Sequence, residues 1–263
     1  MKMGVFNEKR RKTPILNVQG GYIRMCFTYE ISVCLSLYGC AISYYFYYHK
    51  CRLFYTIGYF TLMEILQTAQ YWVVADDINS LQCNSFWNKL LTTVGFIHIC
   101  YQPYFINLYY EIKYGDSITI PYFTIVKRLC LVGGTMLLSR HFQRLMFDES
   151  YSNYLDTEWL NGDKLCTYKS QVHFAWSVPL TDVSYYVPST NIHFFLFFVP
   201  LMVMYENKNL TFHSLLMFIV GPLFVSYMTS NLQERASIWC FVSIFFFTKT
   251  FVGHLLSHKQ RIE

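Results

Sequence analysis

Long apolar stretches separated by short polar segments dominate the pattern of hydrophobic and polar positions along this chain. A helix that crosses the hydrocarbon core of a bilayer needs roughly 20 mostly apolar residues, and most of these stretches approach or exceed that length. The pattern therefore predicts an all-α polytopic membrane bundle with seven transmembrane helices. The predicted spans are at about 22–48, 53–75, 90–110, 123–139, 190–205, 212–230 and 236–256.

The remaining segments are polar. Residues 1–21 form a polar N-terminal tail with a basic run at 9–12, and residues 257–263 form a basic C-terminal tail. We expect residues 22–256 to be one transmembrane domain, with no removable signal peptide before it. Within it, residues 140–189 lack a span, and a connector of that length without structure of its own is uncommon. This segment is expected to form a folded, non-spanning cap.

The composition agrees with a membrane location. Hydrophobic residues make up 54% of the chain and charged residues only 14%, whereas a soluble domain has nearer about 25% charged residues. The net charge of +5 comes from short basic clusters beside apolar stretches, where they contact lipid headgroups. The expected partner is therefore the lipid bilayer and not nucleic acid.

The distribution of basic residues predicts the orientation. Most short basic loops fall on one side of the predicted bundle, while the loop on the other side contains Asp76 and Asp77. By the positive-inside rule the basic side is cytoplasmic, which places the N-terminus outside. The basic run at 9–12 argues for the reverse orientation, but more loops favour an outside N-terminus. The basic-side residues are Lys50, Arg52, Lys113, Lys127, Arg128, Lys208, Lys259 and Arg261.

Two of the nine cysteines differ from the others in their surroundings. Cys83 and Cys166 fall in polar segments, whereas most of the others lie within predicted spans, and the chain has no CxxC motif. If both segments face a lumenal or extracellular compartment, these two cysteines are candidates for a disulfide.

Several polar side chains fall near the middle of predicted spans. Ionisable groups at that depth are costly and usually pair with one another or line a functional site. We expect an ion pair between Glu64 and Lys249, with His98 and Gln102 hydrogen-bonded around it. The alternative is a structural network that fixes helix register. The candidate site for a ligand or proton consists of Glu64, Gln67, His98, Gln102 and Lys249.

Two cofactors are considered for this bundle. Lys249 lies in the seventh predicted span, where a lysine could hold retinal as a Schiff base; a lysine that extends to the membrane interface is the alternative. His254 and His258 are four residues apart, a spacing that can bind zinc and is similar to the HxxxH of membrane-embedded zinc hydrolases. The second span has no third histidine, which favours interfacial histidines without metal.

The cap contains aromatic and histidine residues that could line an entrance to the polar group. His173, Trp176 and His193 are the candidates, and an aromatic belt at the membrane interface is the alternative. The chain has no GxSxG, phosphate-binding loop or dinucleotide-binding motif.

These observations leave several classes of function open. The preferred hypothesis is binding or translocation of a small ligand, lipid or proton. The first alternative is an intramembrane enzyme that modifies lipid, with His98 or Glu64 as general base and His173 or His193 assisting. The second is a retinal photoreceptor that uses Lys249, and the third is a structural or assembly protein of a virus-derived membrane.

Several strings resemble an uncharacterised family of polytopic membrane proteins found in fungi, algae, bacteria and large DNA viruses. They are MEILQ, GFIHICYQPYFIN, CTYKSQVHFAWSVPL, YYVPSTNIHFFLFFVP and GPLFVSYMTSNLQERASIWCFVSI, within residues 55–245. The resemblance implies a shared membrane fold and no particular activity. The Tyr-, Phe- and Asn-rich composition would suit an AT-rich viral genome.

Overall fold

The computed structural model describes residues 28–147, 158–181, 189–199 and 207–259. The predicted tails and the basic run at 9–12 therefore lie outside or at the edge of the described residues. Helices account for most of this part of the chain. In order the elements are α1 (Tyr29–Tyr48), α2 (Leu53–Gln70), α3 (Phe86–Tyr114), α4 (Ile120–Phe147), β1 (Cys166–Lys169), β2 (Phe174–Ser177), α5 (Thr190–Phe195), α6 (Lys208–Met228) and α7 (Leu232–Lys259).

Helices α1 and α2 form an antiparallel hairpin with a short connection. The buried side of α1 has small residues at helical spacing, which allow the two helices to approach closely. A Cβ atom at Gly39 would lie 2.6 Å from the Thr61 hydroxyl oxygen of α2. This pair of helices then packs against α3 and α7.

Helix α3 continues through Pro103, although a proline inside a helix removes one backbone hydrogen bond. The side chain of Asn107 donates hydrogen bonds to the carbonyl oxygens of Pro103 (2.8 Å) and Leu196 (2.9 Å), and so joins α3 to the α5 segment. Pro222 has a larger effect, since it lies in a π-helical turn, Ile219–Leu223, in the middle of α6. Local π-helical adjustment of this kind is one way in which membrane helices tolerate a proline.

The predicted cap begins too early in the sequence. Helix α4 runs to Phe147, so residues 140–147 extend the helix. The polar residues that suggested a boundary are buried and have partners. Arg140 forms an ion pair with Glu158, and the Nδ1 atom of His141 donates a hydrogen bond to the carbonyl of Pro179 (3.0 Å).

The all-α class is confirmed, and the cap adds one small β-hairpin to it. Strands β1 and β2 pair antiparallel, with Cys166 opposite Ser177 and Lys169 opposite Phe174. All of β2 is buried, because the hairpin packs between the α2–α3 connection and the start of α7. Aromatic and β-branched side chains favour a strand when both faces of that strand are covered.

Three helices are long and apolar enough to cross a membrane: α4 (over Ile120–Met146), α6 (Lys208–Met228) and α7 (over Leu232–Leu256). The chain is thus mostly helical, as predicted. The described residues contain three helices of this kind, compared with the seven predicted spans. Helix α1 is long enough, but six of its 20 residues are tyrosine, whose hydroxyl makes the helix less apolar. Of the fifth predicted span, only residues 190–199 are described.

Candidate functional site

Polar side chains from α2 and α3 meet one turn of α7 inside the bundle. The amide nitrogen of Gln67 donates a hydrogen bond to the Ser237 carbonyl (3.2 Å), and that of Gln102 donates to the Cys240 sulfur (3.1 Å). Glu64, one turn before Gln67 on α2, lies near Cys240. We call Glu64, Gln67, His98, Gln102 and Cys240 the polar centre. The structure thus brings together four of the five predicted residues.

The polar centre contains acceptor oxygens without a hydrogen-bond partner in the described chain. Glu64 is 1% exposed, and neither of its carboxyl oxygens has such a partner. The side-chain oxygens of Gln67 and Gln102 are in the same situation. Buried polar atoms of native proteins nearly always have partners, because an unsatisfied one costs about 1–3 kcal/mol. These four oxygens are therefore suited to accept hydrogen bonds from a proton-bearing species.

His98 is held in one orientation by α2. Its Nε2 atom donates a hydrogen bond to the Tyr59 carbonyl (2.7 Å), and the Tyr59 hydroxyl donates to the carbonyl of His98. The two rings stack with centroids 3.9 Å apart. Because Nε2 carries the proton, Nδ1 is the acceptor that faces the Gln102 amide at 3.4 Å. His98 therefore positions Gln102, and Tyr59 is a residue that the sequence did not indicate.

Lys249 is not part of the polar centre, so the predicted ion pair with Glu64 is wrong. Lys249 is exposed, its Nζ atom lies 5.4 Å from the centroid of the Phe212 ring, and no ion pair with it occurs among the described residues. It follows Cys240 by nine residues, which corresponds to about 13 Å along a helix. The same separation leaves a Schiff base at Lys249 without Glu64 as its counter-ion.

The three residues predicted to line an entrance instead attach the cap and α5 to the bundle. Trp176 is 1% exposed, and its indole N–H donates to the side-chain oxygen of Gln70 (3.1 Å). The His193 Nε2 atom donates to the Cys100 carbonyl (2.6 Å), and His173 Nδ1 is 2.9 Å from the Tyr71 hydroxyl. Burial lowers the pKa of His173 to about 3, because the charged ring is disfavoured away from water. Buried, hydrogen-bonded side chains of this kind do not line an opening.

Other anchors of the hairpin were not predicted. One carboxylate oxygen of Glu234 accepts hydrogen bonds from the backbone N–H groups of Val172 (2.7 Å) and His173 (2.6 Å). Asn88 donates to the Thr167 carbonyl (2.8 Å) and accepts from its N–H (3.0 Å). These partners are separated by 60 to 80 residues, so only the three-dimensional fold brings them together. Their polar character at the ends of apolar stretches was the available signal.

The structure joins Cys83 and Cys166 in a disulfide, with an S–S distance of 2.00 Å. The bond connects the α2–α3 connection to strand β1. For metals, the described residues contain no group of three or more His, Cys, Asp or Glu side chains that could hold an ion. The ring of His254 lies beside Tyr45 and Phe46, with centroids 5.9 and 5.3 Å away, and the side chain of His258 lies outside the described residues.

Comparison with known proteins adds the family of the chain. No curated protein and no solved structure matches it. One family model does, and it extends from the second residue of α1 to the last residue of α7. Because this match, over residues 30–259, covers most of the sequence, the chain belongs to the family of unknown function DUF5765.

Proposed function

We propose that this protein is a multi-pass membrane protein that binds a proton at Glu64 and passes it along the bundle. The observation that carries the proposal is the burial of Glu64 with both carboxyl oxygens unpartnered by the described chain. An unpaired carboxylate is very unfavourable in an apolar interior, so the group holds a proton instead. A protonated carboxyl can donate to the unpartnered oxygen of Gln67 or Gln102.

The arrangement of connections supports seven crossings. The disulfide joins the α2–α3 connection to the hairpin, and the α6–α7 connection reaches the same hairpin through Asn231, whose amide donates to the Ser170 hydroxyl (2.9 Å). These segments define one end of the bundle, the hairpin end. The connections at 49–52 and 115–119 belong to the opposite end in an alternating topology. Seven helices in this order form the proposed bundle.

The same arrangement supports an outward hairpin end. Disulfides persist in oxidising compartments, so the end that carries Cys83–Cys166 faces the lumen or the exterior. Helix α1 begins at that end, which supports an outside N-terminus. The opposite end carries Lys50, Arg52 and Lys113, as the positive-inside rule requires of a cytoplasmic face.

Tyr71 and His173 form the proposed route between Glu64 and the hairpin end. Tyr71 directly follows the last residue of α2 and keeps a helical backbone, and it comes seven residues, about two turns, after Glu64, so it lies on the same side as Glu64. The Tyr71 hydroxyl is 2.9 Å from Nδ1 of His173. A hydroxyl can both accept and donate a proton, which makes this pair suitable as a relay.

Reconstituted protein tests the proposal. The protein is placed in liposomes that contain a pH-sensitive dye, a potassium gradient with valinomycin sets the membrane potential, and proton entry is recorded. We expect faster entry than in empty liposomes, loss of this entry in Glu64→Gln and slower entry in Tyr71→Phe. Asp163→Asn, at an exposed carboxylate of the cap, is the control and should leave the rate unchanged. Equal rates in wild type and Glu64→Gln would refute the proposal.

A further inference from the structure

A second polar cluster lies at the end of the bundle opposite the hairpin. Lys113, in the last turn of α3, donates hydrogen bonds from Nζ to the Tyr109 hydroxyl (3.1 Å) and the Thr250 hydroxyl (3.1 Å) of α7. Its Nζ atom is also 5.6 Å from the centroid of the Tyr114 ring. One ammonium group is therefore held in place by two helices.

Lys249 and His213 complete this cluster. Lys249 precedes Thr250, the residue that binds Lys113, and its Nζ atom lies over the ring of Phe212 on α6. His213 follows Phe212 on α6, and its ring centroid lies 5.3 Å from that of the Tyr114 ring. The charge of Lys249 acts on both Lys113 and His213. Three helices thus bring two ammonium groups and an imidazole to one place.

The cluster lacks a compensating negative charge among the residues that the structure describes. Glu111, one turn before Tyr114, forms an ion pair with Lys127, and no described carboxylate pairs with Lys113 or Lys249. The hydroxyl of Tyr114 is buried and has no hydrogen-bond partner in the described chain. Like charges placed together repel one another unless an anion lies between them. The Tyr114 hydroxyl adds a neutral hydrogen-bond donor beside these two ammonium groups.

We propose that Lys113, Tyr114, His213 and Lys249 bind a phosphate group. Ammonium groups are common phosphate ligands, and a hydroxyl donor at the side fits the several acceptor oxygens of phosphate. The source is either the headgroup of an anionic phospholipid or free inorganic phosphate. Lys249 is exposed and lies about two turns before Leu256, the end of the apolar part of α7, so its long side chain can extend its ammonium group towards the headgroup region. This site is separate from Glu64 and does not depend on proton transfer.

Native mass spectrometry of the purified full-length protein tests the site. The protein in detergent is titrated with phosphatidylglycerol and, in parallel, with zwitterionic phosphatidylcholine, and each titration is repeated with excess inorganic phosphate. The variants are Lys249→Gln, Lys113→Gln and Tyr114→Phe. Arg52→Gln is the matched control, because Arg52 is an exposed basic residue at the same end of the bundle and outside the cluster. Thermal unfolding of each variant verifies folding, and Lys249 is exposed, so its replacement is not expected to disturb the core.

We expect one tightly bound phosphatidylglycerol, with affinity lowered about tenfold in each lysine variant and less in Tyr114→Phe. Arg52→Gln should bind as wild type does. Loss of the bound lipid in excess phosphate would identify phosphate itself as sufficient, and retention would identify the lipid as the ligand. Equal binding by Lys249→Gln, Lys113→Gln and Arg52→Gln would overturn the proposal.

Discussion

Gln102 on α3 donates a hydrogen bond to the sulfur of Cys240 on α7, with the two atoms 3.1 Å apart. This contact fixes which turn of α7 lies beside the polar centre. Glu64 and Gln67 of α2 approach the same turn, whereas Lys249 lies nine residues further along α7. The polar centre, with its buried acceptor oxygens, therefore lies at a different level of the bundle from the cationic cluster that contains Lys249.

The buried ion pair between Arg140 and Glu158 should be essential for holding the cap on α4. Both side chains are at most 3% exposed, with an N–O distance of 2.6 Å, and Arg140 also donates to the Thr181 carbonyl. Removing one partner of a buried pair costs about 3–5 kcal/mol, because the remaining charge is uncompensated. Thermal unfolding in detergent should therefore show a large loss of stability in Glu158→Gln.

The exposed pair between Lys169 and Asp76 is the control for this prediction. Its side chains are 62% and 66% exposed, and such pairs contribute about 0–1 kcal/mol. Lys169→Gln should therefore unfold close to the wild-type temperature. Similar losses in the two variants would contradict the importance given to burial.

Two glycines should respond in opposite ways to replacement by alanine. A Cβ atom at Gly221, in the π-helical turn of α6, would overlap the Trp239 ring of α7, and its replacement forces α6 and α7 apart. Overpacking of this kind typically costs about 1–3 kcal/mol. Gly253 of α7 has no atom within 4 Å of such a Cβ, so Gly253→Ala should stabilise the helix by about 0.5–1 kcal/mol. Unfolding temperatures that shift in the same direction would count against this packing.

The disulfide should stabilise the hairpin end. Cys83 and Cys166 are 83 residues apart, and closing a long loop typically contributes about 2–4 kcal/mol. Cys83→Ala, or reduction of the wild type, should lower the unfolding temperature, and reductant should have no further effect on Cys83→Ala. Cys34→Ala, at an exposed free cysteine of α1, is the control. An unfolding temperature insensitive to reductant in the wild type would disprove the contribution.

Acid should destabilise the hairpin through His173, which lies outside the membrane-spanning helices. Burial lowers the pKa of its ring to about 3 in the folded protein, while an unfolded histidine has a pKa near about 6.5. The unfolded chain therefore binds the proton first. The contribution of His173 to the free energy of unfolding is complete above about pH 6.5. It declines by about 1.4 kcal/mol per pH unit as the pH falls towards 3.

Unfolding temperatures recorded from pH 7 to pH 4 check this prediction. The wild type should lose stability across that range, and His173→Gln should show a smaller loss. The same loss in both proteins would mean that another group is responsible.

The sequence predicted some parts of the fold and not others for physical reasons. The starts of α2 and α5 were predicted to the residue, because polar segments interrupt long apolar stretches there. The hairpin was missed because its strands are buried by residues distant in sequence, including Asn88 and Glu234. The end of α4 was missed because buried partners satisfy Arg140.

The candidate site was predicted to a similar extent. The spacing of Glu64 and Gln67, and of His98 and Gln102, placed each pair on one side of its helix, and the structure brings both pairs together. Lys249 was wrongly placed in the polar centre because the depth of a residue in the bundle depends on how its helix is aligned with the neighbouring helices. Helix α7 starts at Leu232, four residues before the predicted span, and the residue of α7 that contacts Gln102 is Cys240.

Infrared spectroscopy measures the protonation state of Glu64 directly. The C=O stretch of a protonated carboxyl is distinct from the bands of a carboxylate, so difference spectra between wild type and Glu64→Gln at neutral pH isolate this group. We predict a protonated-carboxyl band that is absent in Glu64→Gln and retained in Asp163→Asn. The absence of this band from the wild-type spectrum would contradict a proton held at Glu64, and so would a band that persists in Glu64→Gln.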